Sequence, residues 1–199
     1  KPNRVVITGD LIDKLAWLPQ VCERLTTFAK QIPDGVDFIL GNHEYHHDVN
    51  KVLDELKHNT PMNILVNSNI QIMGGKQPVY IAGVAYDNDR EKEKREAMID
   101  KALSGIPDYA FVILLAHHPE FFEEAIERKI PLTLSGHTHG GQIVFMGMPL
   151  VPTGTPYTKG RYVEEQSVCY VNNGSGHWFP IRINCPREIT VITFFDGVA

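Results

Sequence analysis

The chain of 199 residues is long enough for one globular domain, and its 43% hydrophobic and 22% charged residues are ordinary for a soluble protein. Its net charge of -5 argues against nucleic acid or an anionic membrane as a partner, because both repel an acidic surface. The three cysteines form no CxxC pair and exclude both a disulfide framework and a thiolate zinc site, whereas nine histidines are many for this length.

The first half of the chain predicts short strands that alternate with helices. Short β-branched or apolar runs indicate strands, and apolar residues at spacings of three and four indicate helices. The predicted strands are residues 4–8, 37–40, 63–73 and 78–86, with Gly74 and Gly75 in the turn between the last two, and the predicted helices are residues 15–30 and 49–57.

The second half continues this alternation as far as Ser135 and then changes character. A solvated helix at 90–103 and a helix at 119–129, with Pro119 near its start, enclose a very apolar strand at 110–116. Further strands are predicted at 132–135, 142–146, 161–165, 168–173 and 188–195. The whole pattern predicts an α/β fold in one domain over residues 1–199, with mainly β-structure in the last third.

Four of the apolar runs end in polar residues of the same chemical kind. The four strand ends carry Gly9-Asp10, Gly41-Asn42-His43-Glu44, His117-His118 and Gly136-His137-Thr138-His139. Ligands of α/β sheets bind outside the carboxyl ends of the strands, so these side chains are expected to share one edge. Imidazole with carboxylate suits zinc, iron or manganese, whereas calcium prefers oxygen ligands. An exposed loop would explain an isolated His-x-His, but four such ends in succession predict a metal site.

The motifs "GDLID", "GNHE", "HH" and "GHTHGG", in this order, resemble those of the calcineurin-like metallophosphoesterases. The resemblance runs from Arg4 to Gln142, and residues 170–195 also resemble the closing segment of one bacterial branch. That branch has "GHTHGGQ" and includes exported phosphoesterases and UDP-diacylglucosamine pyrophosphatases. The resemblance implies a sandwich of two mixed β-sheets flanked by helices, with a binuclear metal centre at the strand ends.

The resemblance also implies a role for each polar residue of these motifs. Asp10 would bridge both metals, His139 would bind the first metal, and His43 would contact the substrate phosphate, with Asp13 holding its other ring nitrogen. The ligands that complete the second metal site would be Asn42, His117 and His137.

One element of the family pattern is missing from this chain. The family has an Asp-x-His motif at the end of an earlier strand, and no such motif precedes Asp10. We expect that the chain lacks the first strand of the fold and that the motif lies upstream of Lys1. The alternative is a depleted first site, which keeps only Asp10 and His139. Export, membrane association and cellular location would depend on the same upstream residues.

The implied function is hydrolysis with two divalent ions of manganese, zinc or iron. A hydroxide between the ions would attack a phosphomonoester, phosphodiester or pyrophosphate in line. The substrate would be a small-molecule or lipid-linked phosphoester. The alternative is a catalytically weak or inactive metal-binding interaction module of the same fold, against which the presence of His43 and Asp13 argues.

The remaining polar residues have simpler interpretations. Residues 46–48 are expected to begin a solvated helix rather than to line a substrate entrance, and His58 to lie on the surface. His118 is expected to be structural, and the glycines at 140–141 to let their loop pass close to the metals. The loop of residues 177–178 remains a candidate border of the site.

Overall fold

Two β-sheets with helices over their outer faces form the architecture of the chain. The computed structural model describes residues 2–73, 76–86, 91–177 and 179–195. The predicted turn at Gly74 and Gly75, the first residue of the predicted helix at Arg90, and Trp178 lie outside these residues.

The smaller sheet contains three parallel strands. These are β1 (Val5–Ile7), β2 (Val36–Ile39) and β3 (Asn63–Leu65), in the order β1-β2-β3. Three helices connect them, namely α1 (Leu18–Ala29), the short α2 (Asn42–Tyr45) and α3 (Val49–Asn59). Parallel strands need such crossovers, and all three strands therefore end at the same edge of the sheet.

The larger sheet contains six strands of mixed direction. These are β4 (Ser68–Met73), β5 (Val79–Gly83), β6 (Phe111–Leu115), β7 (Leu132–Ser135), β10 (Gly160–Glu164) and β11 (Ser167–Val171). Their order is β10-β11-β7-β6-β5-β4, and the four central strands are parallel. Helices α4 (Lys92–Leu103) and α5 (Phe121–Glu127) cover the outer face of this sheet, and a separate hairpin contains β8 (Val144–Phe145) and β9 (Met148–Pro149).

The core has three apolar layers, one between the sheets and one under each set of helices. Between the sheets, Ile39 and Leu65 of the smaller sheet pack against Ile81 and Ile113 of the larger one. The sheets approach each other closely at Gly83, which has no side chain. No helix of the described residues combines the length and the apolar character that crossing a membrane requires.

The sequence predictions of an α/β fold and of most elements are confirmed, with two differences. The run at 63–73 forms two strands, because the positive φ of 49° at Asn67 turns the chain from the smaller sheet to the larger one. The predicted strand at 188–195 is wrong, since no strand of the described chain pairs with it. Side chains attach this segment instead, including Phe194 against Phe111 and Thr190 bonded to Asn172.

Gly83→Ala is expected to lower the free energy of unfolding by about 1–3 kcal/mol, because overpacking forces the sheets apart. A Cβ at this position would lie 2.5 Å from Leu65 Cβ and 2.6 Å from Ile39 Cγ2. Gly176→Ala is the matched control, because a Cβ there meets nothing within 4 Å. Urea denaturation measures both variants, and equal stability of the two would contradict this account of the close approach.

Candidate metal centre

The carboxyl ends of β1, β2, β6 and β7 meet at one place between the two sheets. The loops after β1 and β2 touch backbone to backbone, since a Cβ at Gly9 would lie 2.7 Å from the Cα and N of Gly41. The same Cβ would lie 2.6 Å from Nδ1 of His117, so only glycine fits here, and its φ of 95° also favours glycine.

Four of the predicted ligands bring their side-chain atoms together at this place. Nε2 of the buried His117 lies 3.3 Å from Oδ2 of Asp10 and 3.0 Å from Oδ1 of Asn42. Nδ1 of His137 lies 2.9 Å from the same Asn42 oxygen and 3.2 Å from Nε2 of His117. Asp10, His117 and His137 offer ligand atoms that all lie within 4.8 Å of one another.

The hydrogen bond on the far side of His117 determines which lone pair faces the cluster. Nδ1 of His117 lies 2.6 Å from the backbone carbonyl of Thr8, which can only accept, so Nδ1 carries a hydrogen. The other ring nitrogen then presents its lone pair to the oxygens of Asp10 and Asn42. Oxygen and nitrogen lone pairs that converge in a buried place need a cation between them, and this donor set suits a transition metal.

The pKa values of Asp10 and His117 in the metal-free protein also indicate that this place favours a positive charge. Burial raises the pKa of Asp10, but the hydrogen bond and charge of His117 outweigh it and hold that pKa far below its usual range. Burial lowers the pKa of His117, but the hydrogen bond and charge of Asp10 prevail and raise it. A proton on His117 can therefore compete with a metal ion for this place.

The fifth predicted ligand, His139, lies beside the cluster and not within it. It belongs to a 3₁₀ turn (His139–Gly141), and it does not share the group formed by Asp10, His117 and His137. Arg182 lies against it, with Nη2 3.1 Å from Nδ1 of the His139 ring and Nη1 donating to the His139 carbonyl. Because a guanidinium only donates, Nδ1 of His139 is the acceptor in this arrangement.

The predicted pair His43 and Asp13 is found at the rim of the cluster. Nδ1 of His43 lies 3.1 Å from Oδ1 of Asp13, and Nε2 lies 3.9 Å from Oδ2 of Asp10. The backbone N–H of His43 also donates to Oδ1 of Asp10. The His43 side chain is 26% exposed, so a molecule arriving from solvent can touch it.

Glu44 was not predicted to have a role in the site, although it occurs in the "GNHE" motif. Its buried carboxylate accepts from the backbone N–H groups of Gly41, Asp10, Leu11 and Ile12, at 2.6, 3.0, 2.7 and 3.2 Å. These bonds connect the loops after β1 and β2 and thereby position Asp10. Burial raises the pKa of Glu44. The contact of Arg182 with His139 was not predicted either, because the two residues are 43 positions apart and no sequence motif connects them.

The remaining histidines of the prediction have local roles. The ring of His118 stacks on that of His137 with centroids 3.7 Å apart, which supports the orientation of His137. Of residues 46–48, Asp48 caps α3 by accepting from the backbone N–H of Lys51, as predicted for a helix start. His46 and His47 precede this helix, with Nε2 of His47 3.0 Å from the carbonyl of Asp13 and the ring of His46 5.2 Å from that of His43. His58 is exposed on the same helix.

The loop glycines and His177 have contacts away from the cluster. A Cβ at Gly140 would meet Asn173 and Cys185, and one at Gly141 would meet Pro149. These glycines therefore let β9 and the segments around Asn173 and Cys185 pack closely against the turn that carries His139. His177 is exposed and lies 3.4 Å from Arg187.

Comparison with known proteins identifies relatives over nearly the whole chain. A family model described as calcineurin-like phosphoesterase matches residues 1–141. An uncharacterized metallophosphoesterase of Campylobacter jejuni is 37% identical over 96% of this chain and 50% of its own length. Similar proteins of Bacillus subtilis and Aquifex aeolicus are 32% and 30% identical, over 97% of this chain and 68% and 73% of their own lengths. The chain spans about half the length of the Campylobacter jejuni relative and of its Helicobacter pylori counterparts.

Glu44→Gln is expected to weaken Mn²⁺ binding by about 10- to 100-fold, as loss of a residue that supports metal ligands typically does. In this variant the side-chain NH₂ group, which can only donate, would face backbone N–H groups that now donate to the carboxylate. The loop that carries Asp10 would therefore lose part of its support. Isothermal titration with Mn²⁺ measures the effect. Glu93→Gln, at an exposed position in the first turn of α4, is the control. Equal affinity of the two variants would show that Glu44 does not position the ligands.

In the metal-free protein, the contribution of His139 to stability is expected to fall as the pH falls through the range in which an unfolded histidine gains its proton, about 6.5, whereas His117, whose pKa is raised, contributes with the opposite sign. Burial, with the charge of Arg182, lowers the pKa of His139 to about 4. Between these two pH values His139 binds a proton in the unfolded chain but not in the folded chain. Its protonation therefore lowers the free energy of unfolding. An NMR titration of the ring in chelator-treated protein checks the value, and Arg182→Met should move its midpoint upward. An unchanged midpoint would remove Arg182 as a cause.

Proposed function

Because this chain belongs to the calcineurin-like phosphoesterase family, we propose that it hydrolyses a phosphomonoester, phosphodiester or pyrophosphate with bound divalent metal ions. The observation that carries the proposal is the convergence of side-chain ligand atoms from Asp10, Asn42, His117 and His137 at the carboxyl ends of parallel strands from both sheets. The carbonyl of Thr8 orients one of these ligands before any ion arrives. A surface loop rich in histidine has no need of such an arrangement.

The proposed cofactors are two divalent ions of manganese, zinc or iron. One would be held by Asp10, Asn42, His117 and His137, and the other by Asp10 and His139 with ligands from outside the described residues. When bound, such ions supply positive charge to the phosphate oxygens and acidify a water molecule. His139 could join only after its ring has turned or Arg182 has released Nδ1, since Nδ1 now accepts a hydrogen bond.

His43 is proposed to act on the substrate directly. Asp13 accepts from one ring nitrogen and holds the ring so that the other nitrogen faces the edge of the cluster. From there it can donate to a phosphate oxygen or protonate the leaving oxygen. The exposed position of Asp13 leaves this end of the site open to solvent.

The proposed substrate is a small-molecule or lipid-linked phosphoester. The acidic net charge argues against nucleic acid. Selectivity among the ester classes is expected to reside in the loops around the cluster.

Asp10→Asn and His43→Ala are each expected to reduce Mn²⁺-dependent turnover of p-nitrophenyl phosphate and bis(p-nitrophenyl) phosphate by about 100-fold or more. His58→Ala is the matched control, because this histidine is exposed on α3, where its ring nitrogen bonds the carbonyl of Asp54. Unchanged turnover in both site variants would remove the proposed roles. Stoichiometric metal binding without hydrolysis of either ester would favour the interaction module.

A further inference from the structure

The hairpin of β8 and β9 exposes large apolar side chains at its tip. The exposed fractions of Phe145, Met146, Met148 and Leu150 are 61%, 82%, 67% and 63%. Soluble proteins rarely expose contiguous apolar residues in this way unless the surface binds something.

A second segment extends this surface alongside the hairpin. The backbone N–H of Val144 donates to the carbonyl of Ile183, and the side chain of Gln142 donates to the carbonyl of Phe179. Phe179, Ile181 and Ile183 are themselves 41–50% exposed. We call these seven exposed residues the hairpin surface: Phe145, Met146, Met148, Leu150, Phe179, Ile181 and Ile183.

The two sequence segments that carry the hairpin surface differ in charge from the whole chain. Residues 143–163 and 173–187 contain no Asp or Glu, although the chain has 24 of them and a net charge of -5. The same two segments contain the cations Lys159, Arg161 and Arg187, besides Arg182, whose guanidinium is bonded to His139 and to backbone carbonyls. The overall charge therefore argues against an anionic membrane, but the local charge favours one.

The hairpin surface adjoins the candidate metal centre. A Cβ at Gly141 would lie 2.5 Å from Pro149, so the hairpin packs directly against the turn that carries His139. The hydroxyl of Thr138 donates to the carbonyl of Thr158, so Lys159, the next residue, lies near the same turn.

We propose that the hairpin surface binds the surface of an anionic phospholipid bilayer and holds the metal centre beside the headgroups. The apolar tip would enter the boundary of the acyl chains while the flanking cations meet lipid phosphates, the combination typical of interfacial binding. A second copy of the chain fits less well. A twofold interface would bring the cationic segments of the two copies together, because the same surface of each copy faces the other.

Co-flotation with vesicles tests this proposal. The unaltered chain is expected to float with vesicles of equal parts phosphatidylcholine and phosphatidylglycerol, and less with phosphatidylcholine alone. Phe145→Ser with Met146→Ser should weaken binding by about tenfold or more, given the apolar area removed. Met73→Ser is the matched control, because Met73 is 58% exposed on β4 at the far edge of the larger sheet.

The outcomes separate this proposal from that of hydrolysis. Turnover of p-nitrophenyl phosphate, a soluble ester, should be the same in the hairpin variant and in the unaltered chain, so a failure of catalysis leaves the vesicle result intact. Three results would overturn the proposal: no flotation of the unaltered chain, equal flotation of the hairpin variant, or a dimer in light scattering that the hairpin substitutions convert to monomer.

Discussion

The buried carboxylate of Glu44 holds together the two loops from which the candidate centre is built. It accepts hydrogen bonds from backbone groups on both sides of the contact between Gly9 and Gly41. Without these bonds, the loop after β1 would have several buried N–H groups and no acceptor, which is unfavourable inside a protein. The left-handed backbone of Asp10, with φ of 56°, persists because its surroundings determine it fully.

Much of the site could be predicted because parallel strands end at a common edge. Asp10, Asn42, His117 and His137 each follow a short apolar run, and the topology alone brings such residues together. His139 follows the same motif, yet its place depends on Arg182, which is distant in the chain and carries no periodic signal. The carbonyl of Thr8 was equally hidden, since every residue has a backbone carbonyl.

The fold could be predicted where apolar periodicity and strand pairing agree, and not where they conflict. Residues 188–195 are rich in β-branched and aromatic residues, as strands are, but a strand also needs a neighbour with free backbone groups, and a single segment does not reveal its neighbour. Side-chain bonds such as that of Asn172 with Thr190 hold this segment instead. At Asn67 the prediction failed in a different way. The apolar pattern continues through this residue, although the chain passes there from the smaller sheet to the larger one.

The bond between His117 and the carbonyl of Thr8 joins residues 109 positions apart, one from each sheet. The candidate ligands are divided in the same way, with Asp10 and Asn42 after strands of the smaller sheet and His117 and His137 after strands of the larger one. An ion at this place would act as a cross-link across the sandwich, closing a long loop of chain at its ends. Resistance to heat would then rise with the concentration of free ion, and a chelator would remove that gain.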